Sequence, residues 1–307
     1  MSLAAGADLA TSTPDPGPGQ EAVGGLYRDA FRRLRRSPTA IVGAVLVLLF
    51  VFIAVFAPLL APYSPTAVDL TDIRPGDFPG PSAEHPLGLD QLGRDELSRI
   101  IYGARYSLLI GVVSLSLGAT VGLTLGLVAG AFGGWVDGLV MRLVDIMLAV
   151  PSLLLAIGIA ALLGPRLLSV MIAIGVVNVP IFARLLRGSM LAQRRSDYAL
   201  AAQSLGVTRS RIVLRHVFPN SLAPVIVQGT LALATAIIEA AGLAFLGLGS
   251  PDPAIPEWGR MLAETNAFLA SAPLLALWPG LAIVLSVMGF YLLGEALREA
   301  LDPKLRR

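Results

Sequence analysis

The chain has 307 residues, of which 55% are hydrophobic and only 14% charged, with a mean hydropathy of +0.74. Soluble domains carry about 25% charged residues, so a soluble globular fold is excluded. Zero cysteines rule out disulfides, thiolate metal sites and a cysteine nucleophile, and a net charge of +2 gives no reason to expect a nucleic-acid partner.

Residues 1–26 are rich in Pro, Gly and Ala and read as a disordered cytoplasmic tail, without the apolar core of a signal peptide. Segment 27–38 is basic and juxtamembrane, with Arg28, Arg32, Arg33, Arg35 and Arg36. Residues 39–307 are expected to form one all-α, polytopic membrane domain. Six stretches reach the ~20 apolar residues that cross a hydrocarbon core. They are 39–61, 106–130, 142–163, 167–186, 222–248 and 273–297.

Segment 62–105 is the longest outer loop. Its front half is irregular, and its end reads as a helix at the outer interface, with Leu97, Ile100 and Ile101 on an apolar face and Arg94, Glu96 and Arg99 on a polar one. In the second span Gly118, Gly122, Gly126 and Gly130 recur every four residues, a small face that admits close packing of a second helix, static or sliding. Ser114 and Asn178 are expected to donate hydrogen bonds between helices. Asp145 follows Arg142 by three residues, so an ion pair along the third span is the simplest account. Pro151, Pro180, Pro224 and Pro279 lie in or near spans and predict kinks. Trp135, Trp258 and Trp278 suit interfacial belts.

Segment 187–221 separates the fourth and fifth spans and is basic and amphipathic. Asp197 to Leu205 reads as a helix stopped by Gly206 in the left-handed conformation. Thr208 then caps a second helix, in which Ile212, Val213, His216 and Val217 share one face opposite Arg209, Arg211 and Arg215. Pro219 ends it. Docking of a partner protein is favoured over simple rest on anionic lipid. In the fifth span Glu239 is a costly intramembrane carboxylate. It either lines a path, where it could meet a peptide amine, or hydrogen-bonds between helices. The two histidines, His85 and His216, show no metal spacing. Basic residues fix the orientation: 17 of the 23 fall on the side of the N-terminus, which places both termini in the cytoplasm.

The loop resembles the EAA loop of ABC importer permeases through Ala201, Ala202, Gly206, Ile212, His216 and Pro219. HPLGLDQLGRDELSRIIYGARYSLLIG at 85–111, EAAGLAFLGLG at 239–249 and LALWPGLAIVLSVMGFYLLGEALREALDP near the end are similar to the dipeptide/oligopeptide (and nickel) permease family, C-type subunit. The likeness extends over residues 27 to 305. Leu200 departs from it, standing where the family commonly has glutamate, with Asp197 one turn earlier.

The resemblance implies a type I ABC importer permease fold in a bacterial or archaeal cytoplasmic membrane. It implies a second homologous permease, two ATPase subunits and an extracytoplasmic solute-binding protein as partners, with a peptide as substrate. It assigns ATPase coupling to Ala201, Ala202, Gly206, Ile212, Arg215, His216 and Pro219. No cofactor, metal or catalytic residue is expected in this chain, ATP and Mg being held by the ATPases. The only lysine, Lys304, follows Asp302-Pro303 and cannot belong to a phosphate-binding loop. Two alternatives stand beside the peptide importer: the same architecture carrying nickel or another small solute, and an ion-coupled transporter, which would need more intramembrane ionisable groups than Glu239.

Overall fold

The computed structural model describes residues 31–69 and 78–301. The expected tail 1–26 and the cationic residues Arg28, Lys304, Arg306 and Arg307 lie outside the described residues. The principal helices among the described residues are α1 Pro38–Leu60, α2 Glu96–Phe132, α3 Gly134–Ala149, α4 Ser152–Leu163, α5 Leu167–Gln193, α6 Asp197–Ser204, α7 Arg209–Ile212, α8 Ala223–Phe245, α9 Trp258–Thr265 and α10 Pro273–Leu301. Five of them, α1, α2, α5, α8 and α10, are each long and apolar enough to cross a membrane.

The third expected span is not one straight helix. α3 and α4 meet at 92°, broken at Val150-Pro151. Proline denies the helix a backbone donor and its ring clashes with the preceding turn. With 12 residues, α4 is about 18 Å long, short of a ~30 Å hydrocarbon core. Pro180 and Pro279, in contrast, sit inside the continuous helices α5 and α10, and Pro224 is in the first turn of α8, where its missing N–H costs nothing.

α1 starts at Ser37, whose hydroxyl accepts from the Ala40 amide at 3.4 Å, with Pro38 in the first turn. Only Ala40, Gly43, Phe50 and Ala57 of α1 are buried. Gly43 and Gly289 bring α1 against α10: a Cβ on Gly43 would lie 2.6 Å from the Leu293 nitrogen, and one on Gly289 would lie 2.8 Å from Leu46 Cβ.

The most extensive helix pair is α2 with α5. They run parallel, and the glycine stripe forms their seam. A Cβ on Gly118, Gly122 or Gly126 would fall 2.6, 2.5 or 2.6 Å from the carbonyl oxygens of Gly175, Val179 and Ala183. One on Gly130 would fall 3.0 Å from the Met190 sulfur. Close backbone approach replaces the hydrophobic drive that lipid cannot supply. The two polar residues expected to bridge helices do not. Asn178 Nδ2 donates to its own helix at Ile174, 2.9 Å away, and the Ser114 hydroxyl is buried without a partner. Gly118 and Gly175 bring the backbones so close there that apolar contact fills the seam.

The outer segment also differs from expectation. No separate interfacial helix forms, because α2 begins at Glu96, capped by the Asp95 carboxylate on the Ser98 amide at 2.8 Å, and runs unbroken for 37 residues. Arg94, Glu96 and Arg99 are buried, each at most 3% exposed. Their setting is a knot of charges. Asp90 accepts from Arg94 Nε at 2.7 Å and from Arg99 Nη1, while Glu264 on α9 accepts from Arg94 at 3.1 Å, Arg99 at 2.8 Å and Arg260 at 2.7 Å. Carbonyls of Ser250 and Pro253 take further guanidinium protons from Arg260 and Arg94, at 2.8 and 3.1 Å. Beside the knot, His85 Nδ1 lies 3.0 Å from Asp95. Buried guanidiniums are tolerable only with this density of partners.

Trp258 is likewise no belt residue. It is 1% exposed, meets Phe50 edge-on at 5.6 Å and donates from Nε1 to the Ile100 carbonyl at 3.0 Å. α9 is folded inward by this anchor, and a partner for the indole N–H makes the burial affordable. Trp135 remains 79% exposed, and Trp278 has a buried, unpartnered Nε1.

Glu257 caps α9, accepting from the Gly259 amide at 3.2 Å, and is 4% exposed. Burial pushes its pKa from 4.5 up to about 7, against the opposing backbone bonds of Gly259 and Arg260. A folded pKa above the unfolded one favours the fold at low pH, and that contribution is lost as pH rises from about 4.5 to about 7. Glu257→Gln is therefore expected to flatten the fall in thermal midpoint across this interval. An identical pH slope in the variant would assign the effect to other groups.

Candidate functional site

The segment between α5 and α8 forms a bent helical element on the end of the domain opposite the charge knot. α6 ends in a Schellman closure: the Val207 amide reaches the Ala202 carbonyl at 3.1 Å and the Gly206 amide reaches Gln203 at 3.0 Å. Gly206 holds φ +78°, a left-handed conformation in which a side chain is strained. Thr208 occupies the expected cap position, but its side chain makes no capping bond.

α7 then widens into a single π turn, Val213–Val217, closed by the Phe218 amide on the Val213 carbonyl. Val213 and Val217 are 4% and 0% exposed and seat on Phe182, Leu186 and Met190 of α5 and Val225 and Ala232 of α8. Ile212 is half-buried beside them. His216 was expected on this apolar face and is instead exposed, because the wider turn rotates it outward; its carbonyl accepts from Asn220 Nδ2 at 2.7 Å.

Of the other residues singled out from the sequence, Ala201, Gly206, Arg215 and Pro219 are exposed and Ala202 is half-buried. Leu200, Leu205 and Leu214 add apolar surface, at 51%, 83% and 57% exposure. Large apolar side chains presented this way, rimmed by arginine, mark a surface for interaction with a protein or a membrane.

Two contacts were missed in the sequence. Arg194 Nη1 donates to the Gly130 carbonyl at 2.7 Å, and Arg209 Nη2 donates to the Ala131 and Phe132 carbonyls at 2.9 and 3.2 Å. These are the last carbonyls of α2, which lack partners within their own helix and carry its negative dipole end. The readable signal was an arginine directly after each break, Gln193 and Thr208. Arg187 meanwhile grips Asp137 of α3 with two bonds, at 2.8 and 2.6 Å. Asp145 pairs with Arg184 of α5 and not with Arg142, since α3 crosses α5 with that side facing it.

Glu239 lies in α8, half-buried, with Oε2 buried and unpartnered. Its neighbour is Ser152, the first residue of α4 after the 92° break, and Leu153 rests against Gly242 one turn further along α8. Non-helical backbone at membrane depth is tolerated where it is buried in protein or lines a water-filled cavity. Among the described residues no group of His, Cys, Asp and Glu is arranged to hold a metal ion.

Residues 122–307 match the family described as the binding-protein-dependent transport system inner membrane component, and residues 25–79 match the N-terminal domain of oligopeptide transport permease C. The chain is 46% identical over 281 residues to the dipeptide transport system permease protein DppC of Alkalihalophilus pseudofirmus, covering 91% of this chain and 90% of that protein. It is 42% identical over 281 residues to the glutathione transport system permease protein GsiD of Escherichia coli O157:H7, covering 91% of each. A solved structure of the MetNI methionine ABC transporter in inward-facing conformations superposes with a TM-score of 0.53, covering 66% of this chain and 96% of that one at 19% identity, a likeness of fold alone. This chain belongs to the family of binding-protein-dependent transport system inner membrane components, as a multi-pass permease of the ABC type.

Proposed function

We propose that this chain is one of two permease subunits in an ATP-driven importer of di- or oligopeptides. The observation that carries this reading is the bent element at 197–220: apolar and basic on its free side, seated by Val213 and Val217 on α5 and α8. Ala201, Ala202, Gly206, Ile212, Arg215, His216 and Pro219 form or shape the surface that receives an ATPase subunit. A second permease with its own loop receives the other ATPase, and an extracytoplasmic binding protein delivers the peptide. ATP and Mg are held by the ATPases. Both termini and the bent element face the cytoplasm, across the cytoplasmic membrane.

Closure of the ATPases on ATP pushes the element, and α8, which starts three residues after Asn220, moves with it. Access to the path then alternates between the two sides. Glu239, hydrogen-bonded to Ser152, borders that path, and its buried, unpartnered oxygen becomes available to a cationic group such as a peptide ammonium when α8 moves. The peptide class is supported by the dipeptide and glutathione systems in which the relatives are named.

The test is reconstitution with the neighbouring transport subunits in proteoliposomes and measurement of ATP-dependent dipeptide uptake. Nickel uptake without peptide uptake would select the other branch, and uptake driven by an ion gradient alone would reject the reading. In the same assay Gly206→Pro is expected to abolish uptake while membrane insertion persists. Proline needs φ near −65° where this backbone holds +78°, and it removes the amide bonded to Gln203. Full uptake by that variant would remove the coupling role from this turn.

A further inference from the structure

At one end of α2, Arg194 and Arg209 hold the last three carbonyls of the helix. At the other end, Asp95 caps it and the Asp90–Arg94–Arg99–Glu264 knot ties its first turn to α9. In between, three glycines press its backbone on the carbonyls of α5. The helix has 37 residues without a break, about 55 Å. It contains no proline and no π bulge, and each of its glycines, where a helix can also bend, is packed against a neighbouring element. Three other routes across the domain offer softer places, α5 and α10 with Pro180 and Pro279 and the broken α3–α4, while α8 has its proline only in the first turn.

We propose that Arg194 and Arg209 are positioning residues that lock the bent element to α2, so that α2 and the outer charge knot form one rigid strut carrying its displacement to the opposite face. This rests on the reading of that element as the site of ATPase coupling. The cations sit where the macrodipole of α2 is negative, so the lock is a directed contact between two elements and not only a local cap. A purely structural role would lower stability and leave the yield of transport per ATP untouched.

The chain lacks cysteine, so Leu92→Cys in the knot and Gln203→Cys in the bent element, both exposed, give a unique pair of spin labels. The labelled chain is assembled with its unlabelled partner subunits in lipid nanodiscs, and the label separation is measured by pulsed dipolar spectroscopy without nucleotide and with ATP. The separation is expected to change by less than one helical turn, about 5 Å. A larger change in the otherwise unaltered chain overturns the strut. Arg194→Gln with Arg209→Gln is expected to make the separation nucleotide-dependent and to lower peptide uptake per ATP hydrolysed by about tenfold, within the usual span of coupling energies. Lysine at both positions, still able to donate to a carbonyl, is expected to restore most of that ratio. An unchanged ratio in the glutamine variant overturns the role of the arginines, and if that variant fails to assemble, the distances in the unaltered chain decide. Absence of ATPase subunits from the purified assembly would reject the coupling reading itself, whatever the distances.

Discussion

Gly122→Ala is expected to destabilise the folded chain by about 1–3 kcal/mol or more, an unusual cost for one methyl group in a helix. The Cβ would stand 2.5 Å from the Val179 carbonyl oxygen and 2.7 Å from Phe182 Cβ. Neither is the free end of a flexible side chain, so α2 and α5 must separate. Because the same contact repeats at Gly118 and Gly126, the separation propagates along the seam. Gly188→Ala in α5 supplies the contrast. Nothing lies within 4 Å of a Cβ there, and alanine in an exposed helix interior gains up to about 1 kcal/mol over glycine. Reversible unfolding of the two variants in detergent should therefore move in opposite directions. Equal midpoints would mean that the seam yields and that the glycines matter for motion and not for packing.

Asp90→Asn is expected to cost about 3–5 kcal/mol, the range for removing one partner from a buried ion pair. Asp90 and Arg99 are 3% and 1% exposed, and Asp90 also accepts the Leu92 and Arg94 amides at 2.9 Å. The variant leaves three arginines around Glu264 with no second carboxylate in direct contact. Glu295→Gln is the control. Its pair with Arg298 spans 3.9 Å at 42% and 69% exposure, where water and salt screen the charges. Unfolding measurements should show the Asp90 variant far less stable and the Glu295 variant within error of the parent. Similar behaviour of the two would mean that water reaches the knot.

The spans were legible because a helix in lipid must hide every backbone group internally and show apolar side chains outward, so length and hydropathy alone locate it. Gly206 was legible because its φ is a local demand. The burial of Arg94 and Arg99 was not, since Glu264, which makes it possible, lies 165 residues beyond Arg99. The same holds for Asp145: Arg142 is near in sequence, but Arg184, 39 residues on, is near in space. Pro151 announced a disturbance, and only the packing of α4 on α5 and α8 turns it into a 92° break. His216 fell off its expected face because a π turn has no sequence signature in a stretch that also fits an α-helix. Within the bent element, the helix–turn–helix outline was legible, while its anchorage runs through carbonyls that no side-chain pattern can reveal.

The pairing of α1 with α10 has a consequence for biogenesis. Gly43 and Gly289 touch, yet the ribosome makes them about 250 residues apart, which at common synthesis rates is roughly 10 to 50 seconds. Throughout that interval the first span sits in the bilayer with its small-residue notch unfilled. It has α2 as an earlier neighbour, but the notch itself faces lipid or the insertion machinery until the last span arrives. Span α1 can thus pack on α2 early, while its closest backbone contact is among the last to form.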